Sequence, residues 1–553
     1  MAELSPMMQS YLDKKAEYPD SILFYRLGDF YEMFYEDALL ASRELEITLT
    51  GRACGTEEKA PMCGVPFHAA ENYISRLIAK GYKVAICEQL EDAKNAKGIV
   101  KRDVIRVVTP GTVIENNMLE EKKNNYIMAI VKRGIHYGIS ICDVSTGDFY
   151  ATEIKLPESN FEKLLDEYAR FTPSEIVVNP AMANCQKEIA ILKDRNNTFV
   201  TVRKDELFEE NLEKIESQYK IVDSFGKDKK IMNQTLAIAS VNGILNYFEE
   251  TQKMKLEHIN TLKIYEVQKY MSLDISARRN LELTERMRDK SKQGTLMWVL
   301  DKTSTSMGGR LLRRWINDPL LDINEIKARN LAVKELKENL MLRGDITEIL
   351  NKVYDIERLA GKISYGNANA RDLISLKNSL LHIPDLKNSL SEAHSNLLKK
   401  LYTNLDVLSD IAQLIEEAIV DEPPISIKEG GMIKLGYCPE IDEYKKASTE
   451  GKQWILNLEA REREKSGIKN LKIGYTKVFG YYIEITKSFL NQVPEDYTRK
   501  QTLTNAERFI TQELKEMENK ILGAEEKVVQ YEYDAFVKIR GQIAGNIERL
   551  QKT

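Results

Sequence analysis

Ile22-Leu23-Phe24-Tyr25-Arg26-Leu27-Gly28-Asp29-Phe30-Tyr31-Glu32-Met33-Phe34-Tyr35 is the stretch from which the fold is read. Ile22 to Tyr25 form a short strand-like run, and Asp20-Ser21 ahead of them suit a capped turn. Gly28 opens a turn, and an aromatic-rich segment follows it. Aromatics at such close spacing suit the packing of a core. They also suit one exposed ring that wedges between base pairs while a neighbouring carboxylate reads a base edge. Working outward, strand-like alternation recurs at residues 45–49 and 84–87, with a helical pattern over residues 69–80 between them. Residues 104–108 predict another strand, which stops at Pro110-Gly111. The first stretch, to about Thr112, therefore predicts one mixed α/β domain.

A second unit opens near Asn125. Residues 126–131, 137–142 and 147–152 are three apolar runs with turn residues between them, and connections this short make an antiparallel meander. Residues 162–171 predict a helix, residues 175–178 a buried strand, and residues 235–251 a closing helix. From there to about Glu416 the pattern is almost wholly helical. A charged helix over residues 452–465 leads to a β-hairpin with arms at residues 471–475 and 481–485. Leu514, Met517, Ile521, Ala524, Val528, Tyr531 and Ala535 then follow the 3-4 spacing of a long packed helix, and Ile543, Ile547 and Leu550 carry the stripe towards Thr553.

The 553 residues predict three to four domains at roughly 150 residues each. Hydrophobic residues at 43% and charged residues at 30% suit globular material and argue against a disordered chain. No apolar run approaches the roughly 18 to 20 residues of a membrane span, and residues 1–12 lack a signal-peptide pattern. The six cysteines read as reduced thiols of an intracellular protein; Cys54, Cys63, His68 and Cys87 lie close in sequence but without the C-x₂₋₄-C spacing of a zinc site. Eighty basic and 85 acidic residues give a net charge of -5, so a nucleic-acid partner must be argued from local features.

Two local features bear on that partner. Arg461, Arg463, Lys465, Lys469, Lys472, Lys477 and Lys487 stand against Glu462, Glu464 and Glu484, with Tyr475, Phe479, Tyr481 and Tyr482 interleaved. This pattern fits a solvated charged helix with an aromatic hairpin, or a module that tracks phosphates. Asp143 and Asp148 sit on neighbouring strand ends, where carboxylates can hold two metals for phosphodiester cleavage, although Asp, Ser, Thr and Gly are also ordinary turn residues. Gly226-Lys227, Gly361-Lys362 and Gly451-Lys452 are followed by Asp228, Ile363 and Gln453 rather than Ser or Thr, so no phosphate-binding Gly-Lys-Ser/Thr loop is present.

The order of motifs resembles the bacterial MutS family of DNA mismatch-recognition proteins. The motifs are Pro6-Met7-Met8-Gln9, Phe24 to Glu32, Pro61 to His68, Thr109-Pro110-Gly111-Thr112, Arg278 to Glu282, Ser306 to Arg310, Gly480 to Ile483 and Gln501 to Arg508. The resemblance spans essentially the whole chain. It implies a multidomain α/β plus all-α protein: a mixed α/β mismatch-binding domain (1–113), an RNase H-like connector (114–250), a helical core and lever (251–449), a clamp with a β-hairpin inserted in the lever (450–511), and the second part of the lever (512–553). It implies that Phe30 stacks on a mispaired base from the minor groove, that Glu32 hydrogen-bonds to it, and that Arg52 lies near the DNA. Lys472, Lys477, Arg499, Lys500 and Asn505 are the implied phosphate contacts of the clamp. Leu27 stands where many members have methionine, an apolar exchange.

The implied partners are double-stranded DNA with mismatches or small loops, a second copy as homodimer, and a MutL-type repair protein through the connector, in the bacterial cytoplasm at the nucleoid and not at a membrane. The family continues beyond the lever into an ABC-type ATPase that also supplies the main dimer interface, whereas this chain stops at Thr553. The expectation is an N-terminal portion that is no enzyme and needs no cofactor, with ATP and Mg belonging only to the missing domain and dimerisation weakened or lost. Two other functions fit the same residues. One is an interaction scaffold for repair partners; the other is a structure-selective nuclease using Asp143 and Asp148.

Overall fold

The alternation on either side of Gly28 becomes a β-hairpin. In the computed structural model, which describes residues 4–55, 58–91, 100–156, 161–196, 198–223, 234–476 and 478–553, helix α1 (Pro6–Glu17) precedes strands β1 (Ser21–Leu27) and β2 (Phe30–Phe34). The two strands pair antiparallel with Tyr25 opposite Glu32, Arg26 opposite Tyr31 and Leu27 opposite Phe30. Gly28 takes φ +58°, the left-handed turn conformation that glycine adopts without steric cost. Helix α2 (Tyr35–Leu45), strands β3 (Thr50–Arg52) and β4 (Ala60–Pro66), helix α3 (Ala70–Ala79) and strands β5 (Lys83–Gln89) and β6 (Arg102–Val108) follow. They complete a six-stranded sheet in the order β3-β4-β2-β1-β5-β6. Helix α1 packs Met8 and Tyr11 on Tyr25 and Phe34 of one face, while α2 and α3 cover Phe24, Tyr31 and Met33 on the other.

The strand expected at residues 45–49 is absent. Ala38, Ala41 and Leu45 are buried at helical spacing, Leu45 ends α2, and Glu46 caps it in the left-handed conformation; the strand begins only at Thr50. The early cysteines are sheet residues. Cys63 belongs to the core under α2 and α3 and Cys87 to the core under α1, so the sheet separates them. Burial pushes the Cys63 thiol up to about 11 and that of Cys87 to about 12.

The next sheet is built on the expected meander, β7 (Ile127–Arg133), β8 (His136–Asp143) and β9 (Asp148–Lys155). Helix α4 (Glu162–Phe171) leads to β10 (Glu175–Val178), β11 (Phe199–Val202) and β12 (Lys220–Asp223), and α5 (Thr235–Gln252) to β13 (Thr261–Ile264). The order is β11-β10-β7-β8-β9-β13-β12. Met128, Ile130, Ile139 and Ile141 meet α4, and Ile127, Ala129, Val131 and Cys142 meet α5. Gly138 lies directly under α5, since a Cβ there would fall 1.8 Å from the Leu236 carbonyl oxygen. The expected domain break at 250 leaves out β13, which pairs with β9 inside this sheet. A four-residue strand after a long helix has too short a pattern to stand out from a helical stretch.

Helices α6 (Ser306–Asn317), α7 (Ile323–Glu338), α8 (Leu340–Leu350) and α9 (Ile356–Tyr365) continue the first of two units, residues 1–366, 382–407 and 547–553. Partly buried ion pairs join α6 and α9 to the segments before them. Arg310 donates to Asp355 at 2.7 Å, to Glu357 at 2.6 Å and to the Glu121 carbonyl at 2.8 Å. Asp148 is bound by Lys263 at 3.0 Å and Arg314 at 3.5 Å. Burial opposes the charge on Asp148, but Lys263 and Arg314 outweigh it and hold the carboxyl well below the usual carboxylate range.

The second unit, residues 367–381 and 408–546, contains α10 (Ala370–Leu380), α11 (Ser409–Ala418) and the long α12 (Pro439–Ser466) and α13 (Gln512–Ala544). Between the long helices lie β14 (Lys472–Thr476), β15 (Gly480–Thr486), β16 (Thr498–Thr502) and β17 (Ala506–Ile510), all antiparallel in the order β14-β15-β17-β16. Gly451 lets α12 approach α13 closely, because a Cβ there would lie 2.5 Å from Ile521 Cγ1. The seam expected through Tyr531 and Ala535 turns instead to Glu532, Phe536, Ile539 and Ile543. Tyr531 is exposed and stacks on Tyr444 near the start of α12. Helix α13 also meets α11. Glu532, fully buried, is paired with Lys445 at 2.6 Å and accepts the Met432 amide at 3.0 Å. Ile543, Ile547 and Leu550 are buried as the stripe towards Thr553 predicts, but the helix breaks at Gly545-Asn546 and a separate one spans Ile547–Lys552. No described helix is long and apolar enough to cross a membrane.

The Asp148 cluster carries a pH-dependent prediction. A carboxyl whose folded pKa is depressed stabilises the fold above its unfolded value, about 3.9, and loses that contribution as pH falls towards the folded value. Asp148→Asn, which leaves Lys263 and Arg314 uncompensated, is expected to cost about 3–5 kcal/mol at pH 7. Denaturant unfolding of both proteins from pH 7 to pH 3 should show the gap narrowing below about pH 4.

Candidate nucleic-acid interface

Strand β2 sends alternate side chains to opposite faces of the sheet, as any strand does. Tyr31 and Met33 enter the core under α2 and α3. Phe30, Glu32 and Phe34 take the other face, where α1 covers Phe34, with the Tyr11 ring 4.9 Å away. Phe30, first in the strand and beside the turn, remains 46% exposed. Single exposed apolar side chains are common, so it is the place of Phe30 beside the turn, with Glu32 on the same face, that makes it a candidate contact.

Glu32 lies one pleat further in, opposite Gly64 of β4. A Cβ at Gly64 would come within 3.3 Å of the Tyr31 carbonyl oxygen and 3.5 Å of Glu32 Cγ, so the glycine leaves the Glu32 stem room. The carboxylate pairs with the guanidinium of Arg52 on β3. Arg52 pairs with Ala60 and Glu32 with Gly64, on two flanks of β4, so the ion pair spans that strand. The structure thus places Phe30 and Glu32 on one face of β2 and joins Glu32 to Arg52, which by register lies towards the opposite end of β4 from Phe30.

The clamp candidates are dispersed. Lys472 is exposed at the start of β14, in register with Glu484. Asn505 is exposed in the β16–β17 turn, and its carbonyl accepts the backbone N–H of exposed Lys487 at 3.1 Å. By register these three residues share one end of the sheet. Arg499 and Lys500 lie towards the other end, where Lys500 Nζ donates to the Phe479 carbonyl at 2.7 Å and Arg499 pairs with Glu507 at 2.8 Å. Lys477 lies outside the described residues.

The local excess of positive charge read from residues 461–487 is also smaller in three dimensions. Arg461 pairs with Glu513, Arg463 with Glu459 at 2.5 Å and Lys465 with Asp496 at 2.7 Å. All three acids lie outside that sequence window, so counting along the chain could not see them. The interleaved aromatics divide as well. Tyr475 is exposed, while Tyr482 is buried beneath Gly474 with Arg508 stacked 4.0 Å from its ring.

The two carboxylates of the meander turn are occupied by protein donors. Asp143 accepts from Asn124 Nδ2 at 2.8 Å, the Asn125 amide at 3.1 Å, and the Ser145 amide and hydroxyl at 2.9 and 2.7 Å. Asp148 holds Tyr150 OH at 2.9 Å besides its two cations. Oxygens so employed, and in one case facing two fixed positive charges, do not form an open metal site. Among the described residues no His/Cys/Asp/Glu group is arranged to hold a metal. The Gly-Lys pairs fare no better as phosphate cradles. Gly361-Lys362 and Gly451-Lys452 lie inside α9 and α12, where backbone amides are committed to the helix, and Gly226-Lys227 lies outside the described residues.

Sequence reasoning overlooked four residues on the opposite face of the β1–β2 hairpin: Arg26, Tyr31, Phe67 and Glu88. They interlock across β1, β2, β5 and the turn after β4. Phe67 falls within the Pro61–His68 motif, but no spacing along the chain reveals that it meets Arg26.

Family models match almost all of the chain: MutS domain I over residues 5–117, MutS domain II over residues 125–260 and MutS domain III over residues 276–553. Among curated relatives, the DNA mismatch repair protein MutS of Ruminiclostridium cellulolyticum is 55% identical over 554 residues, covering 100% of this chain and 63% of the relative. The protein of the same name from Acetivibrio thermocellus is 52% identical, with the same coverage, and that of Clostridium tetani is 51% identical, covering 99% of this chain and 61% of its own length. The chain therefore spans less than two thirds of the length of these relatives.

Proposed function

The chain belongs to the MutS family, and from that premise we propose that it binds duplex DNA at mispaired bases or small unpaired loops, with Phe30 as an aromatic wedge entering from the minor groove. The observation that carries this reading is the exposed Phe30 ring at the end of a paired strand, with Glu32 beside it on the same face. Wedging a ring into an intact step costs a few kcal/mol of unstacking, whereas a mispaired step is already weakened. Stacking of the ring on a base returns about 1–3 kcal/mol. Selectivity then arises mainly from how easily the DNA deforms.

A carboxylate near phosphates is repelled by them, so Glu32 serves as a directional contact to a base edge, and Arg52 offsets its charge. The four-stranded sheet acts as a clamp on the phosphate backbone through Lys472 and Asn505, with Arg499 and Lys500 towards its other end, and Lys477, outside the described residues, completes the set. We take residues 1–113 as the mismatch-binding domain, 114–250 together with β13 as the connector, the remainder of 251–449 with 512–553 as core and lever, and 450–511 as the clamp. Homodimerisation, a MutL-type partner on the connector and a place at the bacterial nucleoid follow from the same family reading. Nucleotide hydrolysis is assigned to no residue of this chain.

Titration onto matched and G·T-containing duplexes at low salt tests the wedge. Phe30→Ala is expected to reduce the preference for the G·T duplex about tenfold while leaving matched-duplex affinity unchanged. An unaltered preference would refute the assignment, and no binding at all at low salt would favour a scaffold without DNA affinity. The clamp makes a different prediction. Lys472→Ala should weaken both duplexes equally and lower the slope of log K against log salt by about 0.9, one phosphate contact.

A further inference from the structure

A wedge works only if it is stiffer than what it enters. Phe30 stands at the turn end of a hairpin, paired with Leu27 on one side and Pro66 on the other, and the Gly28-Asp29 turn beside it projects past the last of these pairs. The face of the hairpin turned away from Phe30 carries a cluster that answers this need.

Arg26 Nε donates to the Gly28 carbonyl at 2.6 Å. The Phe67 amide donates to the Asp29 carbonyl at 2.9 Å. Both carbonyls of the two-residue turn are therefore held from outside it. The Arg26 guanidinium carbon lies over the Phe67 ring, 3.7 Å from its centroid, and 5.6 Å from that of Tyr31. Glu88 of β5 faces Arg26 Nη1 at 3.4 Å and accepts from the Tyr31 hydroxyl, and Arg102 of β6 fixes the Arg26 carbonyl at 2.8 Å. Strands β2 and β5 and the turn after β4 thus converge on the Arg26 guanidinium, while β6 holds its backbone carbonyl. The Arg26 side chain is only 16% exposed and already carries a carboxylate partner, so it is poorly placed to serve phosphate. Phe67 covers it while staying 40% exposed, which accounts for the second uncovered ring at this end of the sheet.

We propose that Arg26 is a positioning residue for mismatch discrimination: with Phe67 as its cover, it braces the Gly28-Asp29 turn so that Phe30 meets DNA as a rigid wedge. The proposal rests on the wedge reading of Phe30. Lysine cannot replace arginine in this role. A flexible ammonium offers no planar face to stack on Phe67 and no fixed Nε to hold the Gly28 carbonyl. Were Arg26 a phosphate contact, lysine would substitute for it.

The test measures affinities of the 553-residue protein for G·T and matched duplexes at low salt, with wild type, Arg26→Lys, Phe67→Leu and Phe30→Ala, and each of the first two variants combined with Phe30→Ala. Arg26→Lys is expected to lower the preference for the G·T duplex about fivefold, with matched-duplex affinity and salt slope unchanged. Phe67→Leu should act in the same direction, and it carries the test if thermal melting shows that Arg26→Lys does not fold. Neither change should reduce preference further once Phe30 is alanine, because without the wedge there is nothing to brace. Full preference in Arg26→Lys and Phe67→Leu, alongside its loss in Phe30→Ala, overturns the brace and leaves the wedge standing. An equal loss in both backgrounds overturns it too, since the residues would then act independently of Phe30. Retained preference in Phe30→Ala instead removes the wedge reading itself.

Discussion

Everything at the candidate interface depends on the register that pairs Leu27 with Phe30 across Gly28 and Asp29. In a strand a slip of one residue exchanges the two faces. Here it would bring Tyr31 and Met33 out of the core and drive Phe30 and Glu32 into it. The apolar demand of the α2–α3 face therefore selects the register that leaves Phe30 uncovered. Core packing and the exposed site are two sides of the same constraint, and Gly28 meets it by accepting φ +58°.

Buried charge gives the rest of the molecule its specificity. Asp148 with Lys263 and Arg314, Arg310 with Asp355 and Glu357, and Glu532 with Lys445 each join elements far apart in sequence. Removing water from such groups is costly, and only complete sets of partners offset that cost. The same bookkeeping changes the meaning of Asp143 and Asp148. As residues in a turn they resemble the start of a metal site; surrounded by amides, hydroxyls and cations they are structural acceptors.

Local pattern made much of the architecture legible. The meander, α4 with β10 after it, the hairpin arms of β14 and β15, and most of α13 follow from periodicity and turn residues, because each pattern is long enough to repeat. The failures share a cause. Residues 45–49 and 261–264 are too short to show a period, and along α13 the buried row shifts from Tyr531 to Glu532, whose partner Lys445 no local period reveals. The candidate site divides in the same manner. The resemblance points to Phe30, Glu32 and Arg52, of which Glu32 and Arg52 are paired, whereas the positive excess over residues 461–487 shrinks because Arg461, Arg463 and Lys465 pair with acids from beyond that window.

By itself the sequence determined the mixed α/β and helical composition, the family and the identity of the exposed aromatic, because each is encoded in residue order over short spans. Only the tertiary structure decided which charges are free, which carboxylates are occupied, and that Arg26 and Phe67 stand behind the Gly28-Asp29 turn. The reason is physical. Periodicity along a chain reports which face of an element is buried, but the pairing of a charge depends on where other segments arrive, and in a multidomain protein those segments come from tens or hundreds of residues away.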